Sequence, residues 1–462
     1  MTTTSRARTT KPTRVGAGGK GRLTSLMMGL GLIAAACSSG GDAASTNAAA
    51  APDTTERRSG VATVETDDED LISPTETDRP LDLSGGVTSS TDDVTTVDSD
   101  GRSGLSAEVA EATEPWDTDW TRRTVEIDEL LLGIPRVDPR DRIPPIDTPL
   151  FEPITTASWL EDREPGALVR FNDEVRFYPL SILTRHEIVN DRFGDIPVAV
   201  TFCPLCNTAL TFDTRVDGEA LRFGVSGLLR NSDLVMWDDA TTTLWQQITG
   251  EAIVGDLAGT RLELIPTAIV SFADARDSFP EALSLSRETG FNMAYGSNPY
   301  ELYSSSTSPF LFDGEPDPRF PALSRVVGVV LSDPGAEIGD KGYPFSVISE
   351  ERAVNDQIGD VPVAVLWGGD TADALDSGTI ADGQTIGTGI AFDRRVGDRT
   401  LSFAPAGDDL FIDDETGSTW SLLGQAIDGP LAGEQLTAVP HRNEFWFAWA
   451  SFFPDAPIYG AE

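Results

Sequence analysis

The chain has 462 residues, 39% of them hydrophobic, and a formal net charge of -41. That length allows one large core or two. The acidity excludes a surface built for nucleic acid, because phosphate contacts need clustered Lys and Arg.

In chain order, Arg6, Arg8, Lys11, Arg14, Lys20 and Arg22 precede the apolar run 23–36, which is too short to span a bilayer comfortably and has the shape of a signal peptide. Cys37 follows, then Ser38-Ser-Gly-Gly-Asp42. Small residues before a cysteine and a polar tail after it resemble a bacterial lipoprotein signal, with Ala34 standing where Leu is usual. The expected outcome is cleavage before Cys37, lipidation of that residue, and a protein held on the outer face of the cell membrane. Residues 37–115 are rich in Ala, Thr, Ser, Gly and Asp and nearly free of aromatics. Such a segment buries too little apolar surface to offset its ordering entropy, so the sequence predicts a disordered acidic tether.

Past Trp116 an internal repeat emerges. The run Tyr178-Pro-Leu-Ser-Ile-Leu-Thr-Arg-His-Glu-Ile-Val-Asn-Asp191 is echoed at Tyr343-Pro-Phe-Ser-Val-Ile-Ser-Glu-Glu-Arg-Ala-Val-Asn-Asp356, an offset of 343 − 178 = 165. Gly194-Asp-Ile-Pro-Val-Ala-Val200 matches Gly359-Asp-Val-Pro-Val-Ala-Val365 at the same offset, and Phe212-Asp-Thr-Arg-Val216 matches Phe392-Asp-Arg-Arg-Val396. Ordered matches of this kind predict two homologous tandem lobes, lobe one over 116–300 and lobe two over 301–462.

Within lobe one the pattern predicts a hairpin turning at Asn172-Asp173, a helix over 181–190, and strands over 198–202, 210–212, 221–223 and 234–237. The expected fold class is therefore α+β and β-rich. Trp245 has a counterpart in Trp420, which marks that indole as core.

Cys203 and Cys206 sit three residues apart between two predicted strands. A thioredoxin-type pair opens a helix, whose dipole lowers the thiol pKa, so this context fits a metal-binding knuckle better. Asn207, after the second Cys, tolerates the left-handed backbone that such a knuckle needs. Lobe two has Gly368 and Thr371 opposite the two cysteines and Glu351 opposite His186. Lobe two thus lacks both sulfurs and the imidazole, as expected if lobe one carries a site and lobe two is a degenerate copy. The expected metal ligands are Cys203, Cys206 and His186, with His441 a further candidate, and Zn(II) and Cu(I) suit them equally. The stretch 224–233 is longer than its counterpart and reads as a polar loop, placing Ser226, Arg230, Asn231, Ser232 and Asp233 near the site.

The motifs at 186–191, 197–210 and 223–234 resemble the bacterial and archaeal family known as domain of unknown function 3179, over about Arg122 to Ile458. The resemblance implies no activity. It leaves a metal or redox site in lobe one beside a second reading, a non-enzymatic lipoprotein that binds a small molecule or a protein and whose Cys203 and Cys206 form a structural disulfide. A thiol-disulfide oxidoreductase is a third reading, which the strand-turn-strand context opposes. Glycine-rich phosphate loops, nucleophile elbows and His-Glu-x-x-His signatures are absent, which argues against hydrolases of the serine and zincin types.

Overall fold

The computed structural model describes residues 95–96, 99–332 and 339–461. The chain divides into two units, Met1–Thr75 and Glu76–Glu462, and every described residue lies in the second. The expected signal peptide, Cys37 and most of the expected tether fall outside the described residues. Among those residues no helix is long and apolar enough to cross a membrane.

The packed structure begins before Trp116. Helix α1 (Ala107–Ala112), capped by the Ser106 hydroxyl, lies in the stretch assigned to the tether and buries Val109 and Ala112. Val109 joins an apolar cluster with Trp116 and Trp120. Two buried side chains and two indoles supply the apolar area that the rest of the stretch lacks.

The fold is β-rich, with few and short helices. Strands β1 (Pro165–Phe171) and β2 (Glu174–Pro179) form the expected hairpin, turning through Asn172 and Asp173 at φ +49° and +61°. Both residue types accept that conformation, and the primed turn it builds matches strand twist. Helix α2 (Leu180–His186) follows, shorter than predicted. It stops because Glu187 turns left-handed at φ +59°, its N–H donating to the Leu183 carbonyl. Residues 188–190, expected to be helical, open strand β3 (Ile188–Phe193), which pairs with β4 (Ile196–Cys203) from Ile188↔Thr201 to Phe193↔Ile196. A six-residue ladder led by β-branched Ile188 and Val189 wins over one more helical turn. Strand β5 (Thr208–Asp213) pairs with the other edge of β4, ending at Cys203↔Thr208.

The predicted polar loop is a hairpin. Strands β6 (Phe223–Arg230) and β7 (Asp233–Asp238) are joined by Asn231 and Ser232, both left-handed. Without Gly in that turn its two-residue geometry is hard to read in the sequence. The strand expected over 221–223 starts only at Phe223. Strands β8 (Leu244–Gln246) and β9 (Glu251–Val254) extend the same sheet, and β10 (Thr267–Ser271) returns to pair with β1 before helix α3 (Phe272–Ser278).

Farther along, β11 (Arg325–Val330) pairs with β12 (Asp340–Pro344), and helix α4 (Phe345–Glu351) leads into β13 (Ala353–Ile358), β14 (Val361–Gly368) and β15 (Thr388–Asp393). Strands β16 (Phe403–Pro405), β17 (Leu410–Asp413) and β18 (Thr419–Ser421) form a second hairpin sheet. Strand β19 (His441–Phe445) pairs with β11 and runs into helix α5 (Trp446–Phe452).

Particular bonds recur. Trp245 donates its indole N–H to Asp238 Oδ2 at 2.9 Å, and Trp420 does the same to Asp413 Oδ2 at 2.9 Å. The Tyr178 hydroxyl donates to Asp191 as Tyr343 does to Asp356. Asn190 bridges the N–H and carbonyl of Phe223 as Asn355 bridges those of Phe403.

The elements on either side of residue 300 share one apolar interior. The cluster that holds Cys203 and Cys206 also holds Ala374, Leu375, Ile380, Phe445 and Phe447.

Candidate metal centre

Cys203 ends β4, and residues 204–207 turn the chain into β5. Asn207 stands at φ +55°, the left-handed position expected of it, and its N–H donates to the Pro204 carbonyl at 3.2 Å. Its side-chain amide reaches the Asn443 carbonyl at 3.5 Å. The turn is held from the far side by β19, where the Phe445 N–H donates to the Cys206 carbonyl at 2.9 Å.

The β6–β7 turn brings a third donor. Donor atoms of Cys203, Cys206 and Asp233 lie within 4.8 Å of one another, and all three residues are buried. Both sulfurs also face the Ser232 carbonyl, at 3.9 and 3.7 Å. Asp233 Oδ2 accepts from Gln246 Nε2 at 2.6 Å and from the Ile248 N–H at 3.0 Å, which fixes the carboxylate, and both thiols interact with the carboxyl. Among the described residues no Lys, Arg or His forms an ion pair with Asp233.

Burial dominates the electrostatics. It pushes the Asp233 carboxyl up to about 6 and raises both thiols above the ordinary cysteine range. Two further acids surround the group. Glu187, which also interacts with Asp233, is pushed by burial up to about 8. Glu444 is likewise pushed by burial up to about 8, Arg442 opposing the rise. Two thiols and three carboxyls thus crowd a low-dielectric interior. Their ionised forms are costly unless a cation joins them.

The structure does not bring the histidines to this group. His186 is fully buried; its Nδ1 donates to the Pro144 carbonyl at 2.6 Å and its Nε2 accepts from the Tyr295 hydroxyl at 2.6 Å. With both ring nitrogens engaged and burial lowering its pKa, it is a neutral clamp on the segment that follows β10 and α3. Periodicity placed it in the core but gave no means of telling which part of the core. His441 Nδ1 donates to the Val439 carbonyl at 2.8 Å, its Nε2 has no partner in the protein, and it too lies outside the donor group. Of the residues read as a polar loop, Ser232 and Asp233 reach the sulfurs. Ser226 bonds the Val235 carbonyl, Arg230 pairs with Glu129 at 2.6 Å, and Asn231 forms the turn.

Glu187, Glu444 and Tyr300 escaped the sequence reading. One signal was available for Glu187: the repeat offset puts Arg352 opposite it, a reversal of charge beside the missing sulfurs.

A cavity of about 520 Å³ lies elsewhere, lined in part by Lys341, Gln357, Phe452 and Asp455, and includes none of the donor residues.

The chain matches no curated protein and no solved structure. Residues 140–456, more than half of the chain and all of the donor group, match the model of the family described as protein of unknown function (DUF3179), and the chain belongs to that family.

Proposed function

We propose that this chain is a metal-binding lipoprotein on the outer face of the cell membrane, whose centre is a buried structural site built on Cys203, Cys206 and Asp233. The observation that carries the reading is the mutual 4.8 Å approach of three buried donors, two of them thiols, with no ion-pair partner for the acid. A divalent cation offsets most of the charge of two thiolates and a carboxylate, whereas a monovalent one leaves twice the residue. The set therefore favours Zn(II) over Cu(I). Cys203 is 2% exposed and Cys206 and Asp233 are fully buried, which suits an ion that ties two hairpins together rather than one that meets a substrate. The same burial and the raised thiol pKa values oppose thiol-disulfide exchange, which needs an accessible thiolate.

The anchor is lipidated Cys37, supported by the basic segment, the short apolar run and the small residues before it. The acidic surface offers nucleic acid no footing. The two lobes, 116–300 and 301–462, descend from one duplicated unit, a reading supported by the paired Trp–Asp, Tyr–Asp and Asn–Phe bonds and by the shared element order.

Elemental analysis and thiol titration of the purified chain test the centre. The expected result is one zinc per chain and two thiols that titrate only after unfolding. A metal-free protein with Cys203 and Cys206 joined in a disulfide would overturn it and restore the scaffold reading. Cys37→Ser is expected to move the protein from the membrane to the soluble fraction.

A further inference from the structure

Resting on the reading of Cys203, Cys206 and Asp233 as a metal centre, we infer that Glu187 supplies a fourth, oxygen ligand to the ion. Its backbone is already in place. The Glu187 carbonyl accepts the Phe202 N–H at 2.8 Å, which sets the residue beside the last turn of β4, one position from Cys203. The left-handed cap at φ +59° takes its side chain off the helix path. Its carboxylate is buried, and its one hydrogen bond is a long one, 3.4 Å from the Tyr300 hydroxyl. Its carboxylate stands outside the 4.8 Å donor group but acts electrostatically on Cys203 and Asp233, so ligation takes a turn of its side chain toward them.

The second set of elements shows what the same frame does with a built-in cation. Arg352 ends α4 at φ +62°, its N–H donates to the Ile348 carbonyl, and its carbonyl accepts the Trp367 N–H at 2.8 Å, bond for bond as at Glu187. There the guanidinium lies 3.5 Å from Asp409, which stands at the foot of the second hairpin and accepts the Gly369 N–H at 2.8 Å. A Cβ on Gly368, the position opposite Cys203, would fall 2.2 Å from Asp409 Oδ1. One frame therefore holds arginine, aspartate and glycine, with charges paired. The other holds glutamate, aspartate and cysteine; among the described residues neither acid forms an ion pair, and Arg442 acts on Asp233 only at longer range. An ion bound between these groups takes the place of the arginine.

Glu444 is the other buried candidate, but Arg442 on its own strand already faces it as a counter-charge. Among the described residues no cation acts on Glu187 in this way. Two sulfurs and two carboxylate oxygens form a mixed set that Zn(II) and Co(II) both accept in four-coordinate geometry.

The test titrates Zn(II) against a chromophoric chelator and records Co(II) spectra for the full chain and for Glu187→Gln and Glu444→Gln. Glu187→Gln is expected to weaken Zn(II) binding by roughly 10–100-fold and to shift the Co(II) ligand-field bands, while the thiolate-to-cobalt charge-transfer bands persist. Glu444→Gln should leave the ligand-field bands in place. Wild-type affinity and unchanged bands in Glu187→Gln would overturn the assignment while leaving the metal centre standing. A full chain that binds neither ion through its thiols would remove both. Should Glu187→Gln not fold, Glu187→Asp decides: the bands keep their pattern at lower affinity if the carboxylate binds the ion, and wild-type affinity overturns the assignment.

Discussion

The Phe445 amide donates to the Cys206 carbonyl at 2.9 Å, tying the thiol turn to a strand near the end of the chain. Phe445 and Phe447 also lie in the same apolar cluster as both cysteines. A metal held at the proposed centre would therefore be felt in both sets of elements. Stripping zinc with a chelator is expected to lower one cooperative thermal transition, by about 4 kcal/mol where free ion stands a thousandfold above Kd. Calorimetry showing two separate transitions, only one of them sensitive to the chelator, would break this coupling.

For the metal-free protein, pH should act through Glu187 and Glu444. Both carboxyls are raised from 4.5 to about 8 in the fold, so between those values the folded state binds more protons than the unfolded one. Their contribution is fully present below pH 4.5 and is lost as pH rises through 8. Each contributes a slope of about 1.4 kcal/mol per pH unit, and urea unfolding at pH 6.5 and pH 8 should show stability falling with pH. The double variant Glu187→Gln, Glu444→Gln should flatten the difference.

His441 acts in the opposite sense. Burial lowers its pKa to about 4, so on acidification the unfolded state takes up the proton first, near pH 6.5. Stability from the neutral ring is present above that pH and is lost as pH falls toward 4, a loss of about 3 kcal/mol. Comparing wild type with His441→Gln at pH 7 and pH 4 isolates it. An equal loss in both proteins would assign the acid sensitivity to other groups.

Asn207 tests the turn that presents the sulfurs. Asn207→Ala forces a Cβ-branched-free but still chiral residue to keep φ +55°, at a cost of about 1–2 kcal/mol. Asn207→Gly should recover the backbone part and leave only the lost contact to Asn443. Equal urea midpoints for the two variants would show that the turn relaxes to another conformation.

Much of the frame could be read from the residues themselves. The strand-turn-strand setting of the two thiols, the left-handed Asn207 and the hairpin at Asn172-Asp173 all follow from short-range chemistry and appear as expected. The helix end at Glu187 did not, because no glycine marks it and the six-residue ladder that overrides it is a tertiary effect. The third donor was legible as a polar residue but not as a ligand. Asp233 reaches the sulfurs only because Asn231 and Ser232 close a two-residue turn across the face of another sheet, a juxtaposition that spacing along the chain does not encode. His186 shows the converse. Its helical face pointed inward as read, yet Pro144 and Tyr295 claim both its nitrogens.

The depth of the donor group constrains how an ion would reach it. The Tyr303 hydroxyl donates to the Leu205 carbonyl at 3.0 Å and the Ser232 hydroxyl to the Phe310 carbonyl, so the segment after α3 is latched over both turns that carry the donors. With Cys203 at 2% exposure and Cys206 and Asp233 fully buried, the folded chain offers an arriving ion almost no exposed donor. On the proposed metal centre, capture would belong to the assembly of the chain, in whatever compartment it first becomes compact, and a trapped ion would exchange on the timescale of local opening rather than of diffusion.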